Sequence, residues 1–149
     1  MGYYMSQVDG LFTIKAEYKN KALEAIKAMF EPERLKNEAQ GGGWNAGKKT
    51  SSWYSWIDTE RSLACKTLEA AIKEWGWEVE TDPDESGDII NVYFPENKQG
   101  QENLMFKAIA PFVEAGSFLH MMGEDSNQWR WFFDGEKMIE QYPEAIMWK

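Results

Sequence analysis

One segment near the end of the chain limits the possible folds more than any other: Gln128-Trp129-Arg130-Trp131-Phe132-Phe133, then Asp134-Gly135, then Glu136 to Tyr142. An Asp-Gly pair between alternating runs is the strongest short-range signal for a β-hairpin. A two-residue turn there pairs Trp131 with Met138 and Trp129 with Glu140. Side chains alternate across a strand, so both faces carry bulky groups, and at least one of them must be core. The other face exposes Phe132 beside Arg130 unless a further layer covers it. Such a chain builds an antiparallel sheet and packs something large against it. Eight Trp and eight Phe in 149 residues supply that core, and the length suits one domain, residues 1–149.

The remaining elements follow from periodicity. Leu11 to Ile14 reads as a strand after the Asp9-Gly10 turn signal. Asn20 is a candidate N-cap for a helix whose apolar positions are Ala22, Leu23, Ile26, Met29 and Phe30, and Glu31-Pro32 ends or kinks it. Residues 40–52 hold four glycines within eight positions and read as a glycine-rich loop leading to a strand at Trp53 to Ile57. Thr67 caps a second helix, with Leu68, Ala71, Ile72 and Trp75 on one stripe; an earlier start near Thr59 is the alternative. Trp77 to Glu80 and Ile89 to Phe94 flank the turn-rich residues 82–87 and form a hairpin. A third helix carries Leu104, Met105, Ala108, Ile109, Phe112 and Val113, with a break at Pro111 and a stop at Gly116. Ser117 to Met122 is a strand. The expectation is an α+β fold: a mostly antiparallel sheet with helices on one face. Its middle is a ferredoxin-like β-α-β-β-α-β unit, extended by an N-terminal βα and a C-terminal hairpin.

Charge narrows the partners. Sixteen Lys/Arg against 25 Asp/Glu give a net charge of −9. Residues 15–49 hold eight Lys/Arg and five Asp/Glu, so the acidic surplus lies after residue 50. That field repels long nucleic acid and anionic membranes and suits docking on a basic protein. No run of apolar residues is long enough to span a bilayer, no signal peptide is recognisable, and the single cysteine, Cys65, cannot close an intrachain disulfide. A reducing cytoplasm is the expected setting.

Motifs for chemistry are weak. Gly42-x4-Gly47-Lys48 opens like a phosphate loop, but Lys49 stands where Ser or Thr should hold magnesium. Asp82-x-Asp84-x-Ser86 opens like a calcium loop, but Tyr93 occupies the position of the bidentate Glu. His120 lies alone on a strand, and Cys65 has only Lys66 beside it. No catalytic residue, metal set or cofactor is expected. The candidate partner-binding residues are Trp129, Arg130, Trp131, Glu124 and Asp125, because exposed aromatics and Arg dominate binding hot spots. The alternative is a small nucleotide stacked on these rings, with Arg130, Lys48 or Lys49 at its phosphate.

Several ordered blocks carry a resemblance. Met1-Gly2-Tyr3-Tyr4, Trp56-Ile57-Asp58-Thr59, Lys66-Thr67-Leu68-Glu69, Trp75-x-Trp77-Glu78-Val79-Glu80, residues 106–114, and Gly123-Glu124-Asp125 before Trp129-Arg130-Trp131 together resemble a family of small acidic proteins encoded by phages and prophages. The resemblance covers nearly the whole chain apart from residues 41–50, and brings no site residues with it. It implies an accessory protein acting in the bacterial host cytoplasm by binding or inhibiting a host or defence protein, nucleic-acid-binding ones included; self-association and a structural place in the virion are the other outcomes it allows.

Overall fold

The computed structural model describes residues 3–84, 86–144, 147 and 148. Met1 and Gly2 of the first resemblance block lie outside the described residues. A five-stranded antiparallel sheet is the frame. Its strands are β1 (Tyr4–Leu11), β6 (Asn97–Lys98), β7 (Phe118–Gly123), β8 (Gln128–Phe133) and β9 (Met138–Gln141), in the order β6-β1-β7-β8-β9. Between β1 and β6 the chain forms α1 (Lys19–Ala28), α2 (Pro32–Glu38), the hairpin β2 (Gly41–Asn45) and β3 (Lys48–Trp53), α3 (Thr59–Ala64), α4 (Leu68–Lys73), and the hairpin β4 (Glu78–Thr81) and β5 (Ile89–Tyr93). Helix α5 (Glu102–Ile109) links β6 to β7, and a short pair, β10 (Pro143–Glu144) and β11 (Met147–Trp148), follows β9. The fold is α+β, as the sequence leads one to expect.

The sheet buries one face. Leu119, Met121, Trp129, Trp131, Phe133 and Met138 all point inward. Phe106 of α5 lies 5.7 Å from the Trp131 ring and packs edge-on against Phe12 and Phe133. Trp77 joins the same group, 4.9 Å from Phe106. A second ring cluster of Phe30, Tyr54 and Trp75 ties α1 and α4 to the segment after β3. The Tyr54 hydroxyl donates to Met29 O at 2.8 Å and to Glu38 Oε1 at 2.9 Å.

Several local expectations hold. Thr67 caps α4, its hydroxyl accepting from Ala70 N at 3.1 Å. Pro111 turns the end of α5 into a 3-10 helix, Ala110–Phe112. Glu31-Pro32 ends α1 and also begins α2, with Pro32 at the first helical position where its missing N–H costs nothing.

Other expectations are corrected. The ferredoxin-like middle does not form: β3 pairs with β2, β4 pairs with β5, and only β7 of that set enters the main sheet. The place beside β7 belongs to β1, from the other end of the chain. Residues 40–52 are a hairpin and not a loop. Ala46 and Gly47 both take left-handed conformations (φ 53° and 79°), which match the twist of a two-residue hairpin turn. Gly41 is there for proximity: a Cβ on it would run into the Ser55 carbonyl oxygen first, at 2.4 Å, and then the Trp53 ring at 2.8 Å. The expected strand at Trp53 to Ile57 ends at Trp53, because Ser55 is left-handed (φ 46°) and Ile57 N turns back to Tyr54 O at 2.7 Å. Helix α1 starts at Lys19, led in by a 3-10 turn over Ala16–Tyr18, so Asn20 is not its cap. Asp58 caps a separate α3.

The β8–β9 register also differs. Trp131 pairs with Glu140 and Phe133 with Met138, which makes a four-residue turn. Asp134 sets it: Oδ1 accepts from Glu136 N at 2.9 Å and Lys137 N at 2.8 Å. A slip of two residues keeps every side chain on its expected face. Asp134→Ala is expected to lose about 1 kcal/mol and roughly 2–4 °C in melting temperature, measured by thermal unfolding.

Candidate functional site

An open cleft of about 980 Å³ lies at one end of the sheet. Trp129, on the buried face of the sheet and 7% exposed, lines the cleft together with Gln128. One wall is the chain entering α5: Gln99, Gly100, Gln101, Asn103 and Leu104. Another is Glu38 and Gln40 at the end of α2. Glu140 and Tyr142 come from β9 and just beyond, and Tyr3, Asn127 and Gln128 close the rim.

Part of this lining is locked. Gln101 is buried and holds the walls together. Its Oε1 accepts from Gln40 N at 2.9 Å and Ser55 N at 3.2 Å, and its Nε2 donates to Glu38 O at 2.8 Å. Glu140 accepts from Trp131 Nε1 at 2.9 Å and from the Tyr142 hydroxyl at 2.5 Å, which fixes both rings. The Tyr3 hydroxyl donates to Asp125, and that bond to a carboxylate, with some burial, pushes the Tyr3 pKa up to about 12. The same bond, with the Asn127 N–H donors, holds Asp125 below the usual carboxylate range.

Part of it is free. The side chains of Gln40, Gln99 and Asn103 make no hydrogen bond among the described residues. Trp129 is 7% exposed, and its Nε1–H is buried without a partner. No Lys or Arg lines the cleft among the described residues. Arg34 reaches Glu38 from α2 at 3.5 Å, outside the lining.

The five expected contact residues do not form one surface. Trp131 is 0% exposed and is core, so as a partner contact it is corrected; Phe106 and Trp77 cover it. Trp129 belongs to the same inner face but borders the cleft. Arg130 is on the opposite face, its guanidinium 5.9 Å from the Phe118 ring centre and 5.7 Å from that of Phe132. Glu124 and Asp125 sit in the β7–β8 turn and bind the start of β1: Glu124 accepts from Tyr4 N at 3.1 Å, and Asp125 from Tyr3. Of the five, only Trp129 lines the cleft; Asp125 is joined to it through its bond from Tyr3, and Arg130 is not part of it. The sequence reading missed the amides, and the run of Gln99, Gln101 and Asn103 across the start of α5 was the available signal.

The outer face of the sheet carries a row directly across four strands: Leu11, Phe118, Phe132 and Ile139. Leu11 is 54% exposed and Ile139 37%. His120 lies on this face, its Nε2 2.8 Å from Gln128 Oε1. Cys65 donates to Arg61 O at 3.3 Å, and burial, then Glu74, push its thiol pKa up, against the direction that a reactive thiol needs. Among the described residues no cluster of His, Cys, Asp and Glu could hold a metal, and no helix is long and apolar enough to cross a membrane.

Fold and cleft together define an α+β protein with an open, amide-lined groove at the end of its sheet. Comparison with protein-family models, curated proteins and solved structures finds no match to this chain.

Proposed function

We propose that the chain is a non-catalytic binding protein whose site is this cleft, and that its ligand is polar and not anionic. One observation carries the reading: among the described residues, the exposed Gln40 and half-buried Gln99 and Asn103 side chains make no hydrogen bond, in walls that hold the Glu38 and Glu140 carboxylates and no Lys or Arg. Small-ligand sites are concave and place a few convergent polar groups. An anion would meet two carboxylates and no positive charge. The nucleotide alternative loses its phosphate partners for that reason. Arg130 faces the other side of the sheet, Lys48 is exposed on the β2–β3 hairpin, and the Lys49 side chain lies outside the described residues.

A thermal-shift panel tests this. A ligand that binds only the folded state raises the melting temperature, by about 2.7 kcal/mol of added stability at a hundredfold excess over Kd. Neutral polar compounds are expected to give shifts of several degrees, and nucleoside triphosphates none. Triphosphate shifts as large as the neutral ones would overturn the reading.

A second reading rests on the outer face. Its row of Leu11, Phe118, Phe132 and Ile139 with Arg130 beside it has the composition of a protein hot spot. An accessory protein of the phage type that binds a host or defence protein in the bacterial cytoplasm would use this surface, as would a self-associating one. Phe132→Asp is expected to abolish such an interaction while leaving the cleft's ligands bound. A partner retained by Phe132→Asp rules this surface out.

A further inference from the structure

We infer that the cleft is a binding site for a neutral saccharide of more than one ring. The inference rests on the cleft being the ligand site at all, and goes beyond it in naming the chemical class.

The free groups define what the ligand must offer. Each unpaired amide of Gln40, Gln99 and Asn103 carries two donor hydrogens and an acceptor oxygen. Two neighbouring hydroxyl groups are the natural complement, since each hydroxyl both donates and accepts. The Glu140 carboxylate already takes two hydrogen bonds, from Trp131 and Tyr142, and keeps lone pairs for more. Those lone pairs want donors. A cation supplies donors only, so it leaves the amide hydrogens unanswered. An anion supplies acceptors only, so it leaves the carboxylates facing charge of their own sign. A polyhydroxylated neutral ligand answers both sets at once.

The rings fit the same class. The Tyr142 hydroxyl is spent on Glu140 and the Tyr3 hydroxyl on Asp125, so what these residues still offer is the ring itself. With the Trp129 indole they give apolar surfaces bordered by amides, and the C–H faces of a pyranose need such surfaces beside its equatorial hydroxyls. A volume of about 980 Å³ stands at the upper end of the range for small-molecule sites, roughly 300–1,000 Å³, and leaves room for a second sugar unit.

The test uses the full chain on an array of neutral oligosaccharides, followed by calorimetric titration of the best binder, with adenosine, cytidine and putrescine titrated in parallel. The expected result is one-to-one binding of at least one neutral oligosaccharide, unweakened by raised salt because no charge pair is formed. The double variant Gln99→Ala/Asn103→Ala should bind at least about tenfold more weakly with its melting temperature unchanged, since the two side chains support nothing else. Trp129→Phe should retain the fold and lose several-fold in affinity. Binding of a nucleoside or of putrescine instead, lost in the double variant, would overturn the saccharide class and leave the cleft as the site. Failure of every compound to bind would overturn both.

Discussion

Truncating Trp131 to alanine should cost about 3–5 kcal/mol, while truncating Arg130, its neighbour in the chain, should cost about 1 kcal/mol. The two side chains leave one strand in opposite directions. Trp131 is fully buried, with the rings of Phe106, Trp77 and Trp129 5.7–6.3 Å away. Removing it opens a cavity that three other large rings border and cannot fill without leaving their own contacts. It also removes the indole donor to Glu140, which keeps the Tyr142 hydroxyl. Arg130 is half-buried on the outer face, and its guanidinium lies over Phe118 and Phe132 while Nε donates to Gln141 at 2.7 Å. Stacking of this kind contributes about 0.5–1 kcal/mol at exposed sites. Single domains unfold with about 5–15 kcal/mol, so Trp131→Ala removes a large share of the total. Urea unfolding of both variants measures the contrast. Equal losses at the two positions would mean that the strand buries both faces.

The same strand shows what a sequence reveals and what it hides. Asp134-Gly135 announces the hairpin, and alternation assigns neighbours to opposite faces. The register comes out two residues off because the Asp134 carboxylate gathers two backbone N–H groups into a longer turn. Bulky residues on both faces hide which one is core, and so Trp131 reads as a partner contact when it is packed under α5. Capping is local and legible, as at Thr67. The glycines of β2 are misread because the role of Gly41, clearance for the Ser55 carbonyl and the Trp53 ring, depends on residues at and beyond the far end of the hairpin. Sheet order is harder still. The pairing of Met5 with Gly123 joins segments from opposite ends of the chain, and no local pattern records it. The cleft draws its lining from residues between Tyr3 and Tyr142, with no spacing rule among them. Its amides look like ordinary surface residues until the fold sets them around Trp129.

Glu102 should make the protein lose stability as pH rises from about 4.5 to above 7, the reverse of the usual carboxylate effect. The residue is 1% exposed at the first turn of α5. Burial pushes its carboxyl up to about 7, against hydrogen bonds from the backbone N–H groups of Gly100 and of Glu102 itself, which favour the charged form. The folded state therefore holds this proton more tightly than the unfolded chain does. Below pH 4.5 both states are protonated and the contribution is complete; it fades as pH passes through 7. A shift from 4.5 to about 7 corresponds to about 3 kcal/mol. Groups with lowered values act in the other direction. For Glu69, burial raises the pKa, but Lys19, the residue's own N–H and the Thr81 hydroxyl outweigh it, so its contribution is lost as pH falls through and below the usual carboxylate range. The stability optimum is thus expected on the mildly acidic side of neutrality. Glu102→Gln keeps an oxygen for the Gly100 N–H, bonded at 2.7 Å in the parent, and removes the charge. It should match the parent at pH 4 and exceed it by about 3 kcal/mol at pH 8, as read from urea midpoints across that range. Parallel profiles for parent and variant would mean that water reaches Glu102. The turn above it would then be open, and Gly100 and Gln101, which line the cleft, would not form the fixed wall that a preorganised binding site requires.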